Sequence, residues 1–106
     1  ITETIEDLEN NNLIGPIVSH AGDGNFHVAL LIDKNNKDEL DKLENFLVRI
    51  SERALRMDGT CTGEHGVGQG KRKYMLKELG NAVEIMKQVK NAFDPDKIMN
   101  PGKLFL

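Results

Sequence analysis

Ile14-Gly15-Pro16-Ile17-Val18-Ser19-His20-Ala21-Gly22-Asp23-Gly24-Asn25-Phe26-His27-Val28-Ala29-Leu30-Leu31-Ile32 is the stretch on which the fold turns. Ile14–Ser19 and Phe26–Ile32 are apolar runs on either side of Asp23-Gly24. Two such runs around Asp-Gly form a strong short-range hairpin signal. Pro16 stands early in the first run, where a missing amide is tolerated. With Asp23-Gly24 as a two-residue turn, Gly22 faces Asn25, Ala21 faces Phe26 and His20 faces His27. Directly opposed residues share a sheet face, with Cβ atoms ~4.5–5.5 Å apart. Two imidazoles at that separation can ligate one ion at ~2.0–2.1 Å per Zn–N bond. A shift of one residue would send the rings to opposite faces. The plainer alternative makes each His a hydrogen-bonded or surface residue, with Asp23 and Asn25 as turn formers.

Outward from the hairpin the pattern is helical. Residues 1–12 are acidic, and Ile5 and Leu8 share one face of a short helix. Beyond the polar turn Asp33–Asn36, the residues Leu40, Leu43, Leu47, Ile50, Ala54 and Met57 recur at steps of three and four. That spacing predicts one helix of about 20 residues, with charge on its other face. Asn35 or Asn36 is the expected N-cap, and Asp58-Gly59 the stop, with Gly59 in the left-handed position. Thr60-Cys61-Thr62 reads as a short strand. Further helices are expected over Lys71–Leu79 and Ala82–Ala92, the latter with Ala82, Met86, Val89 and Phe93 on its apolar side. Asp94-Pro95 breaks the second, and Asn100-Pro101-Gly102 belongs to an ordered tail. The expected class is α+β, an antiparallel sheet with helices packed on one side.

Gly59 to Gly70 contains five glycines in twelve residues. Within it, Glu64 and His65 lie between Gly63 and Gly66. Flanking glycines let backbone approach a ligand closely. A carboxylate offers a third metal oxygen. The adjacent imidazole, whose unperturbed pKa of ~6.5 lies near working pH, suits proton abstraction. Neighbouring residues usually point apart, so one can bind metal while the other faces substrate. The phosphate-loop pattern fails at His65 and Arg72, and the G-x-G-x-x-G pattern is one residue short at Gly70. The bland alternative is a mobile surface loop. Cys61 reads as a small buried filler, since Thr60 and Thr62 supply no base. Lys71-Arg72-Lys73 reads as a solvated helix start.

The chain of 106 residues is 39% hydrophobic and 29% charged, which fits one small globular domain. A net charge of −3 argues against nucleic acid or anionic lipid as a partner. No apolar run approaches the ~18 residues of a membrane span. One cysteine excludes an internal disulfide and a Cys-based zinc cluster. Ile1 rather than Met opens the chain, so a fragment or processed product is expected.

Three segments together resemble a known family. The hairpin, the Thr60–Lys71 loop and Phe93-Asp94-Pro95-Asp96-Lys97-Ile98-Met99-Asn100-Pro101-Gly102-Lys103 are similar, in that order, to the carboxy-terminal region of FAD-linked oxidases of the vanillyl-alcohol-oxidase type. Within them the likeness is greatest to D-lactate dehydrogenase and the glycolate oxidase flavin subunit. The resemblance implies that residues 1–106 are part of a substrate (cap) domain plus a tail, 94–106, that returns to a flavin domain. It implies that His20, His27 and Glu64 hold a divalent metal, zinc or manganese, that His65 is the general base, and that Asn100 lies near the flavin ring. It further implies FAD as cofactor, a 2-hydroxy acid as substrate, and cytochrome c or a quinone or flavoprotein carrier as electron acceptor. A mitochondrial location also follows from the resemblance. The D-2-hydroxyglutarate branch commonly has Asn where this chain has Ala29, and tends to lack the Thr-Cys-Thr-Gly lead-in. Both departures favour a lactate- or glycolate-like substrate. A sheet cut from its parent leaves an edge that a second copy can cover, so a homodimer is an expected assembly. The competing classes are a non-catalytic interaction module, with helices that dock elsewhere, and a self-contained metal hydrolase using two His and a carboxylate.

Overall fold

A computed structural model describes residues 1–105. The chain divides into two compact units, Ile1–Arg56 and Met57–Leu106. The class is α+β, as expected. The first unit holds helix α1 (Thr2–Asn10), strands β1 (Ile17–His20) and β2 (Asn25–Val28), and helix α2 (Lys37–Arg56). The second holds α3 (Met75–Leu79) and α4 (Ala82–Phe93), with a 3-10 turn at Arg72–Tyr74. Among the described residues the sheet has two strands. Thr60–Thr62, expected as a third, is irregular backbone. Two bends and five glycines nearby leave no partner ladder for so short a segment.

β1 and β2 pair antiparallel, with Ile17 opposite Val28, Val18 opposite His27, Ser19 opposite Phe26 and His20 opposite Asn25. The pairing continues backward. The Ala29 N–H donates to the Pro16 carbonyl at 3.0 Å and that of Leu31 to Ile14 at 2.9 Å. Pro16 thus accepts one of the two bonds of its pair with Ala29 and, having no N–H, cannot return the other, so the regular ladder starts at Ile17. The connection is not a two-residue turn: Ala21–Asp23 form a 3-10 turn, closed by Gly24 at φ 66°. The register thus differs by two residues from the expected one, and His20 faces Asn25 rather than His27.

One hairpin face, carrying Gly15, Ile17, Val28 and Leu30, is half-buried. A Cβ on Gly15 would lie 2.8 Å from Val28, 2.9 Å from Leu30 and 3.3 Å from Leu8. The opposite face, with Val18 and His20, is open to solvent.

α1 and α2 are joined by charge. Arg49 donates to both carboxylate oxygens of Asp7 at 2.7–3.0 Å, and Arg53 donates to Asp7 at 2.9 Å and to the Thr4 hydroxyl at 3.0 Å. Thr4, Asp7 and Leu8 are buried. The hydrogen bonds from Arg49, with those from Arg53, outweigh burial and hold the Asp7 carboxyl below its ordinary value. Asn36 is the N-cap of α2: its Oδ1 accepts from the Asp38 N–H at 3.1 Å and the Glu39 N–H at 3.4 Å. Glu39 reaches back to accept from Asn36 Nδ2 and from the Asp33 N–H, a reciprocal cap.

Two helix faces depart from expectation. In α2 the fully buried residue is Phe46, while Leu40 and Leu47 are exposed. The pairing of Arg49 and Arg53 with Asp7 turns that side of the helix inward. In α4, Val83 is buried, whereas Val89 and Phe93 of the expected apolar side are exposed, Phe93 by 82%. α2 ends at Arg56, and the left-handed residue beyond it is Asp58, at φ 57°, rather than Gly59, because aspartate tolerates that region.

Candidate active site

Strand alternation places His20 and His27 on one sheet face. His27 faces Val18, and Val18 and His20 are two apart, so the rings are diagonal neighbours. Their centroids are 5.5 Å apart with planes at 83°, an edge-to-face arrangement. The convergence survives the change of register because a slip of two residues preserves the face, where a slip of one would destroy it. His20 is exposed and His27 half-buried. Ala29, just past the end of β2 and on the same face, is exposed and presents only a methyl group beyond His27.

The loop of the second unit presents Glu64 and His65 at the apex of a tight turn. The His65 N–H donates to the Thr62 carbonyl at 3.3 Å, and Gly63 and Gly66 flank the pair at φ 55° and 78°. Both side chains are exposed. They do not diverge as adjacent residues on a strand would: His65 Nε2 lies 3.6 Å from Glu64 Oε1. A turn, unlike a strand, lets consecutive side chains share one side.

Below the apex the loop is anchored. Cys61 is buried. Burial, reinforced by Glu78 beside it, pushes its thiol up to about 11, so it remains protonated at neutral pH and is no nucleophile. Lys71 and Arg72 correct the reading of a solvated helix start. Both are half-buried, with Lys71 Nζ donating to the Cys61 carbonyl and Arg72 donating to the carbonyls of Gln69, Gly102 and Phe105. No local pattern marks Glu78, whose carboxylate accepts the Cys61 N–H at 3.1 Å.

Asn100 stands on a turn in the tail at φ 47°, immediately before Pro101. Left-handed backbone at a non-glycine residue is uncommon. It is imposed from behind by Asp94, a buried carboxylate that pairs with Lys90 and accepts the N–H groups of Ile98 and Met99, both at 3.0 Å. The turn borders a cleft of about 350 Å³ lined by Lys90, Met99, Lys103 and Phe105.

Two imidazoles on an open sheet face, and a carboxylate and imidazole on a glycine-flanked apex, are the nitrogen and oxygen donors that divalent zinc or manganese accepts. Residues 1–104 match the family described as FAD linked oxidases, C-terminal domain. The chain belongs to this family. A probable mitochondrial D-lactate dehydrogenase of Danio rerio is 51% identical over 105 residues, covering 98% of this chain and 21% of that protein. The mitochondrial D-lactate dehydrogenase [cytochrome] 1 of Saccharomyces cerevisiae is 49% identical, covering 99% and 18%. The glycolate oxidase subunit GlcD of Bacillus subtilis is 47% identical over 87 residues, covering 81% and 18%. The chain spans about a fifth of the length of the curated relatives it matches.

Proposed function

We propose that the intact protein is a mitochondrial FAD-dependent dehydrogenase that oxidises a 2-hydroxy acid of the D-lactate or glycolate kind to the 2-oxo acid. This chain supplies part of the substrate domain, with 94–106 returning to the flavin domain. Family membership and relatives named for D-lactate and glycolate support the reading. The observation that carries it is the pair of imidazoles turned edge to face on one open strand face.

In this reading His20, His27 and Glu64 hold a divalent metal, and Asn100 lies against the flavin. When bound, the metal would acidify the substrate hydroxyl and the flavin would take up the hydride. His65 takes the hydroxyl proton at its imidazole. Its Nε2 lies 3.6 Å from Glu64, which keeps the proton acceptor beside a residue that holds the ion. Ala29 offers no hydrogen-bond donor on the histidine face, which suits a substrate with a short, apolar or absent side chain. Electrons leave to cytochrome c or to a quinone or flavoprotein carrier, and the word cytochrome in the name of the yeast relative favours the first.

The test is flavin reduction in the intact protein, followed spectroscopically with D-lactate and glycolate. Reduction by either is expected, and reduction by neither would overturn the reading. Replacing His65→Gln should lower the reduction rate by about a hundredfold or more, the range of general-base catalysis, while leaving bound metal unchanged.

A further inference from the structure

At the apex bearing Glu64 and His65, the His65 N–H donates to the Thr62 carbonyl at 3.3 Å and, further on, the Lys71 N–H donates to Val67 at 3.2 Å. What fixes the lead-in is a pair of ions on the far side of Cys61. The Cys61 N–H donates to Glu78 Oε2 at 3.1 Å, and the Cys61 carbonyl accepts from Lys71 Nζ. One buried residue is thus gripped at its donor by a carboxylate and at its acceptor by an ammonium. The Thr60 and Cys61 side chains, on the same side, help to keep the Glu78 carboxyl ionised. Thr60 then passes the constraint on. Its hydroxyl accepts the Thr62 N–H at 3.3 Å and lies 3.0 Å from the Thr62 hydroxyl, and Thr62 receives the His65 N–H. Glu78 is thus connected to the His65 backbone by hydrogen bonds at Cys61 and Thr62 and by the short stretch of chain between them.

We propose that Glu78 is a positioning residue for the Glu64–His65 pair, acting through Thr60 and Cys61, with Lys71 as its counter-ion. This rests on the reading of His65 as the general base. Burial alone would push the Glu78 carboxyl up, but the hydrogen bonds from Thr60 and Cys61 and the charge of Lys71 outweigh it, so the group is ionised at neutral pH. An ionised carboxylate can accept every one of these bonds at once. An amide in its place would turn one acceptor into a donor and leave Lys71 uncompensated.

The experiment is Glu78→Gln in the intact protein, read by amide hydrogen exchange over residues 60–66 and by kcat and KM for the hydroxy acid. Expected are faster exchange confined to that segment and a fall in kcat of about ten- to a hundredfold, the range for outer-shell residues that orient reacting groups. KM and metal content should hold. Glu78→Asp keeps the charge on a shorter arm, should fall between the two, and serves if Glu78→Gln folds poorly. Wild-type exchange, or faster exchange with wild-type kcat, overturns the proposal. His65→Gln in parallel separates the two failures. Full turnover in His65→Gln brings down the general-base reading. A crippled His65→Gln beside an unaffected Glu78→Gln brings down the role of Glu78 alone.

Discussion

In the hairpin, His20 and His27 are placed by the backbone ladder, and their neighbours contribute little beyond filling the other face. In the glycine-rich loop, Glu64 and His65 follow a lead-in whose peptide groups are gripped by two side chains, Glu78 from α3 and Lys71 from the turn before the 3-10 segment. A ladder positions residues by parity, so it tolerates a slip of two and fails at a slip of one. A clamp has no such periodicity. It fails when either ion is lost, whatever the spacing, and so the two halves of the proposed site should answer to different kinds of mutation.

The largest effect expected is on the ladder side. His20→Ala or His27→Ala in the intact protein should lose bound divalent metal, measured by elemental analysis, together with activity on the order of a thousandfold, since a Lewis acid is worth several kcal/mol. Undiminished metal in both variants would break the comparison, because the hairpin would then be scaffold alone. A smaller effect tests what stands behind the ladder. Asp7→Ala strands Arg49 and Arg53 without their carboxylate and should weaken the pairing of α1 with α2 by about 2 kcal/mol, seen as faster amide exchange in α1. Its pH dependence has a definite sign. The folded Asp7 carboxyl lies below its ordinary value near 3.8, so the stabilisation is fully present above that value and is lost as pH falls below it towards the depressed one. Asp7→Asn should remove that acid dependence. Glycines give the finest test. Gly15→Ala forces Val28 and Leu30 aside and should cost about 1–2 kcal/mol by overpacking. Gly66→Ala meets no atom within 4 Å, so its cost, about 1 kcal/mol, comes only from φ 78° and should appear as exchange in the loop alone.

What the amino-acid order disclosed follows the same division. The hairpin, its histidine face, the span of α2 and its asparagine cap are local patterns and were legible. The turn length was not, because Asp-Gly also serves in a four-residue connection where Ala21–Asp23 adopt a 3-10 conformation. The buried side of α2 was misread because Asp7 lies 42 residues from Arg49, a pairing no periodicity records. Glu64 and His65 stood out between glycines. Glu78, 17 residues from Cys61, and Lys71 did not, since a charge on a short helix or in the turn before it looks the same whether it faces water or a peptide group.

Arg72 has one more consequence. Its guanidinium holds the Gln69 carbonyl at 3.1 Å, Gly102 at 2.9 Å and Phe105 at 3.3 Å, while the Leu104 N–H meets Gly68 at 2.8 Å. The last described residues and the stem of the turn that carries Glu64 and His65 are therefore stitched into a single seam. Proteolytic nicking or a premature stop that spared everything through Met99 would still unpick it, and the damage would register as a loosened loop some thirty-five positions upstream of the cut.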